Sequence, residues 1–208
     1  YFIADSENVR QRIKKYYNRD SEVIYPPVKT DRFFISNEPK EYFLMVGRIV
    51  PYKRFDIAIE AFSELPQEKL LIIGAGPEYK NLKFKIENLK LKNVKLIGSV
   101  SDSGLSKYYA DCKALIFPQE EDFGLAPLEA MASGRPVIAF RAGGAIETII
   151  EGETGVFFDE QNQDSLIKAV ENFRRLKFNS RKIREHAQEF NKEIFKKKIT
   201  GFVNELAS

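Results

Sequence analysis

The chain has 208 residues, 43% of them hydrophobic, and 33 Lys and Arg residues against 30 Asp and Glu residues leave a formal net charge of +3. This size fits either one well-filled domain or one domain with a short appendage, and the balanced charge gives no argument for nucleic acid as a partner. A single Cys and a single His exclude an intrachain disulfide and a metal site built from those residues, and no apolar run is long enough to cross a bilayer.

The amino end of the sequence is typical of a fragment. Residues 1–4 are typical of the tail of a strand, and they lack the basic region that opens a signal peptide. Ser6 is predicted to cap a helix over residues 7–17, and a short strand over residues 21–25 ends at a pair of prolines. We therefore expect the given sequence to be a fragment whose amino-terminal part is absent.

Strands and helices alternate from Tyr42 onward. The strands are almost wholly apolar, which is typical of a parallel sheet covered on both faces. Six strands are predicted, over residues 42–46, 70–73, 94–97, 114–117, 136–140 and 156–158. The predicted helices span residues 53–65, 78–89, 102–110 with Asp102 as the cap, a short stretch before Gly134, and residues 145–150, 164–176, 180–190 and 192–206. About six such units predict an α/β fold with a doubly wound parallel sheet.

The stretch over residues 116–140 is the one around which a site is expected. A buried strand passes into an acidic loop, a tight turn, a short helix and the next strand. In parallel sheets of this kind the ligand lies outside the carboxyl ends of the strands. This places Glu121, Phe123, Gly124 and Leu125 at the mouth of a site, with the free N–H groups of a helix start behind them.

Cations follow the first strand of this series, in the segment GRIVPYKR. Lys53 and Arg54 are predicted in the first turn of the next helix, where positive charge is unfavourable because the helix start is itself partly positive. A local rule broken in this way often marks a function. Arg48 and Lys53 would suit a diphosphate through charge-assisted hydrogen bonds. Two solvated surface charges are the competing interpretation.

Two glutamates form a second set of candidates. Glu129 is predicted near the start of its helix, where a carboxylate is favoured in any case, whereas Glu121 has less structural reason to be in its loop. Carboxylates accept hydrogen bonds from sugar hydroxyls, so acids beside cations suggest a nucleotide sugar. A general acid–base pair is the alternative, but a loop and most of a helical turn separate the two glutamates.

Glycines and one helix face carry weaker signals. Gly74 and Gly76 invite a dinucleotide interpretation, but the third glycine of that motif would fall at Tyr79, so a tight turn is preferred. The pair Gly143-Gly144 predicts either a close approach to a ligand or a turn. The last helix has apolar residues at helical spacing that either pack on their own domain or dock on a neighbour: Phe195, Ile199, Phe202 and Leu206.

Taken together, these stretches resemble the large retaining glycosyltransferase family with the GT-B fold (glycosyl transferases group 1), over roughly residues 23–203. The segment EDFGLAPLE matches the family motif of two glutamates with seven residues between them, and GRIVPYKRFD matches its Gly-Arg…Lys phosphate motif. Five further segments look like the family: IIGAGPE, IGSVSD, EAMASGRPVIAF, GGAIETI and GETGVFF. Their order and spacing together make the resemblance to the carboxyl-terminal, donor-binding domain of that family specific.

The resemblance implies roles for individual residues. Arg48 and Lys53 would grip the donor diphosphate, Glu129 would hold the ribose hydroxyls, and Glu121 is the catalytic candidate that would touch the transferred sugar. Backbone groups of Val100 would meet the base. The full set of residues assigned to the donor is Gly47, Arg48, Lys53, Val100, Phe123, Gly124, Leu125 and Glu129. The family needs no metal and no cofactor for this chemistry.

The implied protein is one half of a GT-B fold. Residues 1–30 would be a remnant of, and a linker from, an absent amino-terminal domain that carries the acceptor site. Residues 31–190 would be the nucleotide-sugar-binding domain, and residues 191–208 a carboxyl-terminal helix. The full enzyme, acting in polysaccharide biosynthesis, would move a hexose from a nucleotide-diphosphate sugar to a glycan or lipid-linked acceptor. Mannose is the favoured sugar and GDP-mannose the favoured donor, because EDFG and EAMASGRPVIAF look most like GDP-mannose users.

Several further expectations follow from the same resemblance. The fragment alone would bind nucleotide without turnover. The protein would be located in the cytoplasm, and any membrane contact would come through the full-length protein. No nucleic acid partner is expected. Three alternatives stay open: a sugar-nucleotide epimerase of the same fold, a non-catalytic nucleotide-sugar-binding or interaction module, and a dehydrogenase.

Overall fold

The chain folds around one parallel sheet, as the computed structural model of residues 1–207 shows. The strands are β1 (Ile3–Ala4), β2 (Glu22–Val23), β3 (Phe43–Val46), β4 (Leu70–Ile73), β5 (Val94–Gly98), β6 (Ala114–Phe117), β7 (Val137–Phe140) and β8 (Gly155–Phe158). The α-helices are α1 (Glu7–Tyr17), α2 (Phe55–Ser63), α3 (Tyr79–Asn88), α4 (Asp102–Asp111), α5 (Leu125–Ala132), α6 (Ala145–Thr148), α7 (Gln163–Arg175), α8 (Ser180–Gln188) and α9 (Lys192–Ala207).

The sheet has the strand order β5-β4-β3-β6-β7-β8, and every neighbouring pair is parallel. The chain builds outward from β3 in one direction and from β6 in the other, so the strand order reverses between these two strands. Such a switch point leaves a crevice beyond the carboxyl ends of the two central strands, where doubly wound sheets bind their ligands. The predicted α/β, doubly wound architecture is confirmed.

Both faces of the sheet are buried around its central strands, which explains why these strands are apolar, whereas the edge strand β5 contains the exposed Lys95. Successive side chains of a strand point to opposite faces, and Phe43 and Met45 accordingly belong to one hydrophobic cluster while Leu44 belongs to the other. Helices α2 and α7 cover the first face, and α5 and α8 pack together over the second. No polar residue is needed on either face, so the pattern is continuous rather than alternating.

The leading segment docks onto this domain. Ser6 caps α1 as predicted, since its Oγ accepts a hydrogen bond from the Val9 N–H at 3.1 Å. Glu147 of α6 accepts two more, from the backbone N–H groups of Glu7 at 2.7 Å and Asn8 at 3.0 Å. Strands β1 and β2 pair with each other rather than with the large sheet. The assignment of residues 1–30 to a preceding domain stays a prediction.

Two predicted helix starts are wrong. Residues Pro51–Lys53 form a separate 3-10 turn, and Arg54 follows in the left-handed region with φ of 51°, so α2 begins only at Phe55. Lys53 therefore lies before the helix rather than in its first turn. At α4 the cap is Ser101 rather than Asp102, because Ser101 has extended backbone and its Oγ accepts from the Gly104 N–H at 3.2 Å.

The last helix is only partly covered. None of the residues of α9 is fully buried, and Phe195, Ile199 and Phe202 are half-buried. Leu206 is exposed. Packing on its own domain therefore accounts for part of the apolar face, and docking on a neighbour stays a prediction.

No helix within residues 1–207 has the length and hydropathy that a membrane span requires.

Candidate functional site

A cleft of about 820 Å³ lies at the switch point of the sheet. The loop after β3 and the loop after β6 form its two central walls, as the carboxyl ends of adjacent parallel strands dictate. The predicted site residues that line it are Gly47, Lys53, Glu121, Phe123, Gly124, Leu125 and Glu129. Of the two predicted cations, Lys53 therefore lies on the same side of the sheet as Glu121 and Glu129.

Lys53 and Glu121 form the centre of the cleft. The Lys53 Nζ makes an ion pair with Glu121 Oε1, and the Gln119 amide donates to the same oxygen at 3.3 Å. The two charged side chains are only 15% and 20% exposed. The left-handed turn at Arg54 ends the 3-10 turn and leaves Lys53 beside Gly47, where no side chain obstructs its stem. A short loop thus directs one cation into the crevice.

Glu129 was predicted near the start of its helix, but it lies one turn into α5. It is the fifth residue of α5, whose first turn holds no acidic residue, so the helix dipole does not explain its position. The Tyr109 hydroxyl donates to Glu129 Oε2 at 2.8 Å. Burial raises the pKa of Glu129, and the hydrogen bond from Tyr109 opposes that rise. Within residues 1–207, Oε1 has no hydrogen-bond partner and is free to accept from a ligand.

The acidic loop is held in place by the glycines that precede α6. The Gly144 N–H donates to the Glu121 carbonyl at 2.9 Å. A Cβ on Gly143 would lie 2.2 Å from that carbonyl oxygen, and a Cβ on Gly144 would lie 2.3 Å from the Cα of Phe123. The pair therefore makes room for the loop that carries Glu121. The Phe123 ring is buried and stacks on Tyr25 at 5.4 Å, which anchors the loop from its other side.

Replacing Gly144 with alanine is expected to destabilise the chain by about 1–3 kcal/mol and to weaken ligand binding in the cleft, because the added methyl displaces the acidic loop. Thermal unfolding measures the first effect, and titration with a nucleoside diphosphate measures the second. Gly201→Ala is the matched control, since a Cβ there meets nothing within 4 Å. A Gly144→Ala chain as stable as the control would contradict this packing role.

Gly74 and Gly76 serve the neighbouring loop in the same way. A Cβ on Gly74 would lie 1.8 Å from the Gly47 carbonyl oxygen, and one on Gly76 would lie 2.2 Å from the Ile49 carbonyl oxygen. The loop after β4 thus packs directly against the loop after β3. These contacts support the tight-turn interpretation, and the space near the two glycines is filled by backbone rather than open to a dinucleotide.

Two predicted donor residues do not line the cleft. Arg48 is exposed, and its side chain makes no hydrogen bond or ion pair with the part of the chain that the structure describes. Val100 packs against the hydrophobic cluster beneath α4 and α5. Their assignments to phosphate and base stay predictions.

Sequence reasoning missed several residues of the site, among them Arg12, Asp5 and Tyr109. Arg12 and Asp5 reach the cleft from the leading segment, and Arg12 pairs with Asp122 of the acidic loop. Tyr109 reaches it from α4. No local pattern marks Arg12, because its partner is 110 residues away in sequence.

Within residues 1–207, no group of three or more His, Cys, Asp or Glu side chains is placed to hold a metal ion.

These features define an α/β domain of the doubly wound type, in which the switch point of the sheet is the place where ligands bind. Residues 28–203 match the family model of glycosyl transferases group 1, and the chain belongs to this family. The prediction of the family is thereby confirmed.

Individual relatives agree with this assignment. An uncharacterized glycosyltransferase of Methanocaldococcus jannaschii is 31% identical over 94% of this chain and 54% of that protein. The O-antigen chain mannosyltransferase of Salmonella typhimurium is 34% identical over 82% of this chain and 51% of that protein. The chain thus spans about half the length of these curated relatives.

A solved structure confirms the Rossmann-like fold of GT-B glycosyltransferases. Anabaena HepE, determined in complex with UDP-glucose, superposes with a TM-score of 0.85 at 22% identity. The superposition covers 98% of this chain and 63% of that one. At this identity the likeness concerns the fold, and the chemistry of the present cleft rests on its own residues.

Proposed function

We propose that this chain is the carboxyl-terminal, donor-binding half of a retaining glycosyltransferase, and that its cleft binds a nucleotide-diphosphate sugar. The observation that carries the proposal is the convergence of Lys53, Glu121 and Glu129 at the switch point of the sheet. One cation suits the diphosphate, and two carboxylates suit the hydroxyls of ribose and sugar. Binding of UDP-glucose by a protein of the same fold supports the class of ligand.

In this scheme the diphosphate takes the place of Glu121 beside Lys53. The freed Glu121 carboxylate then faces the transferred sugar and stabilises the positive charge that develops on it during transfer. The first backbone N–H groups of α5, near Gly124 and Leu125, provide a second anion-binding element. Arg48, which follows Gly47 in the loop after β3 and is exposed and unpaired within the described residues, would have to turn toward the cleft to contact the phosphate. The scheme invokes no metal and no cofactor.

Glu129 holds the ribose in the same scheme. Its Oε2 is occupied by the Tyr109 hydroxyl, and its Oε1 accepts from the sugar hydroxyls of the nucleoside. Mannose, with GDP-mannose as donor, is the proposed sugar, and the similarity to a mannosyltransferase supports this choice. A glycan or lipid-linked molecule is the proposed acceptor, bound by a further domain of a longer protein.

Calorimetric titration of the 208-residue chain with GDP, UDP and ADP tests the proposal. At least one of the three is expected to bind with measurable heat, and the preferred one identifies the base. The chain alone is expected to leave GDP-mannose intact. A folded chain that binds none of the three nucleotides would refute the donor-binding function.

A sugar-nucleotide epimerase would use the same cleft for a different reaction. Product analysis of a full-length protein distinguishes the two, because an epimerase converts the nucleotide sugar without an acceptor. Glu121→Gln in that protein separates a transferase from a non-catalytic module, in which the substitution would leave every measured activity unchanged.

A further inference from the structure

A second groove, of about 610 Å³, lies at the other end of the sheet. It is formed where β3, β4 and β5 begin, whereas the donor cleft lies where β3 and β6 end. Four lysines surround it: Lys69, Lys90, Lys92 and Lys95. No Asp or Glu of the described chain lines it. The donor cleft, by contrast, has five acidic and two basic residues in its walls.

The four lysines lack counter-ions. All are exposed, and none of their side chains makes an ion pair or a hydrogen bond with residues 1–207. Nearby Lys83 and Lys85 do have partners, since Lys83 lies 3.9 Å from Glu87 and Lys85 pairs with Glu60. Four like charges gathered around one groove repel one another, so the folded chain alone does not explain their grouping. An anionic partner would relieve this repulsion.

The surface beside these lysines is apolar. Leu71, Leu91 and Pro66 line the groove. Phe84 on α3 is 64% exposed, and Leu89, which follows the end of that helix at Asn88, is 45% exposed. A large aromatic side chain on a lysine-rich helix is typical of surfaces that lie in the headgroup region of a membrane. The partner should therefore offer both negative charge and an apolar layer.

We propose that the lysine groove, together with the exposed side of α3, binds the surface of a bilayer that contains anionic phospholipid. The lysines meet the headgroups, and Phe84 enters the acyl boundary. Nucleic acid would account for the lysines but gives no reason for the exposed Phe84 and Leu89. Because β5 is the edge strand of the sheet, a membrane at this edge leaves the donor cleft accessible. This inference is independent of the proposed sugar transfer.

Co-sedimentation of the 208-residue chain with vesicles tests the proposal. The chain is expected to bind an equimolar mixture of phosphatidylglycerol and phosphatidylcholine at low salt, and not to bind phosphatidylcholine alone. Removing the four groove lysines together (K69Q, K90Q, K92Q and K95Q) is expected to lower the partition coefficient by at least about 100-fold, since each basic residue near an anionic surface contributes. F84S is expected to lower it by about tenfold.

The matched control removes the same charge from other exposed positions that also lack ion pairs within the described residues. It combines K168Q, K177Q, K182Q and K197Q, and its binding is expected to stay close to that of the unchanged chain. Equal losses in both combined variants would overturn the proposal, because binding would then follow net charge alone. Absence of binding to the anionic vesicles, or tighter binding to duplex DNA than to them, would also overturn it.

Discussion

Replacing Lys53 with alanine is expected to weaken the binding of a nucleoside diphosphate by about 10- to 100-fold, because a hydrogen bond between a cation and a phosphate contributes about 1.5–3 kcal/mol. Binding of the corresponding nucleoside should change little, since Lys53 contacts the phosphate end of the ligand in the proposed scheme. Calorimetric titration with GDP or UDP, and with guanosine or uridine, measures the two effects separately.

Arg54→Ala is the matched control, because Arg54 is the adjacent cation but points away from the cleft, toward Asp56 and Gln161, each at 3.4 Å. A second variant tests the effect of Glu121, whose carboxylate loses its ion-pair partner when Lys53 is removed. If the freed carboxylate merely repels the phosphate, the double variant K53A/E121Q should recover affinity. A persistent loss in the double variant supports direct contact, and an equal loss for nucleoside and diphosphate would contradict it.

Tyr109→Phe is expected to move the pH dependence of nucleotide binding upward and to weaken binding near neutral pH by roughly tenfold. Burial raises the pKa of Glu129, and the Tyr109 hydroxyl is the foremost of the interactions that lower it. In the proposed scheme the carboxylate form accepts the ribose hydroxyls, so affinity is retained above this pKa and is lost as the pH falls through it. Without the hydroxyl the pKa rises further, and the loss therefore begins at a higher pH.

Titrations with GDP or UDP from neutral to mildly acidic pH measure this shift. Tyr108→Phe is the control, because its hydroxyl makes no hydrogen bond within residues 1–207. The phenylalanine at position 109 keeps the ring that packs edge-on against Phe33 at 5.6 Å, so the fold should persist. A pH profile identical to that of the unchanged chain would show that Tyr109 does not control Glu129.

The sheet could be predicted from the sequence because its central strands are buried on both faces. Strands covered on both faces have no position for a polar side chain, so β3 and β6 are continuous apolar runs between turn residues. Because the strands are parallel, the loops that follow them all lie at the carboxyl ends of the strands, on one side of the sheet. The meeting of Lys53 with Glu121 follows from that topology, although 68 residues separate them in sequence.

The details that sequence reasoning missed depend on contacts between distant segments or on rare backbone conformations. Arg54 adopts φ of 51° without being glycine or asparagine, so no composition rule foretells where α2 begins. The partner of Tyr109 lies two elements further along the chain. At Gly144 the sequence shows that a side chain is missing, but only the fold shows that the Phe123 backbone occupies its place.

The carboxylate of Glu147 has a consequence for how the cleft receives its ligand. By accepting hydrogen bonds from the first N–H groups of α1, it ties that helix to α6, about 140 residues further along the chain. Arg12, carried by that helix, therefore belongs to a wall already ordered when folding is complete. A ligand that enters the crevice is spared the entropic penalty of immobilising this wall, so more of its contact energy remains as affinity.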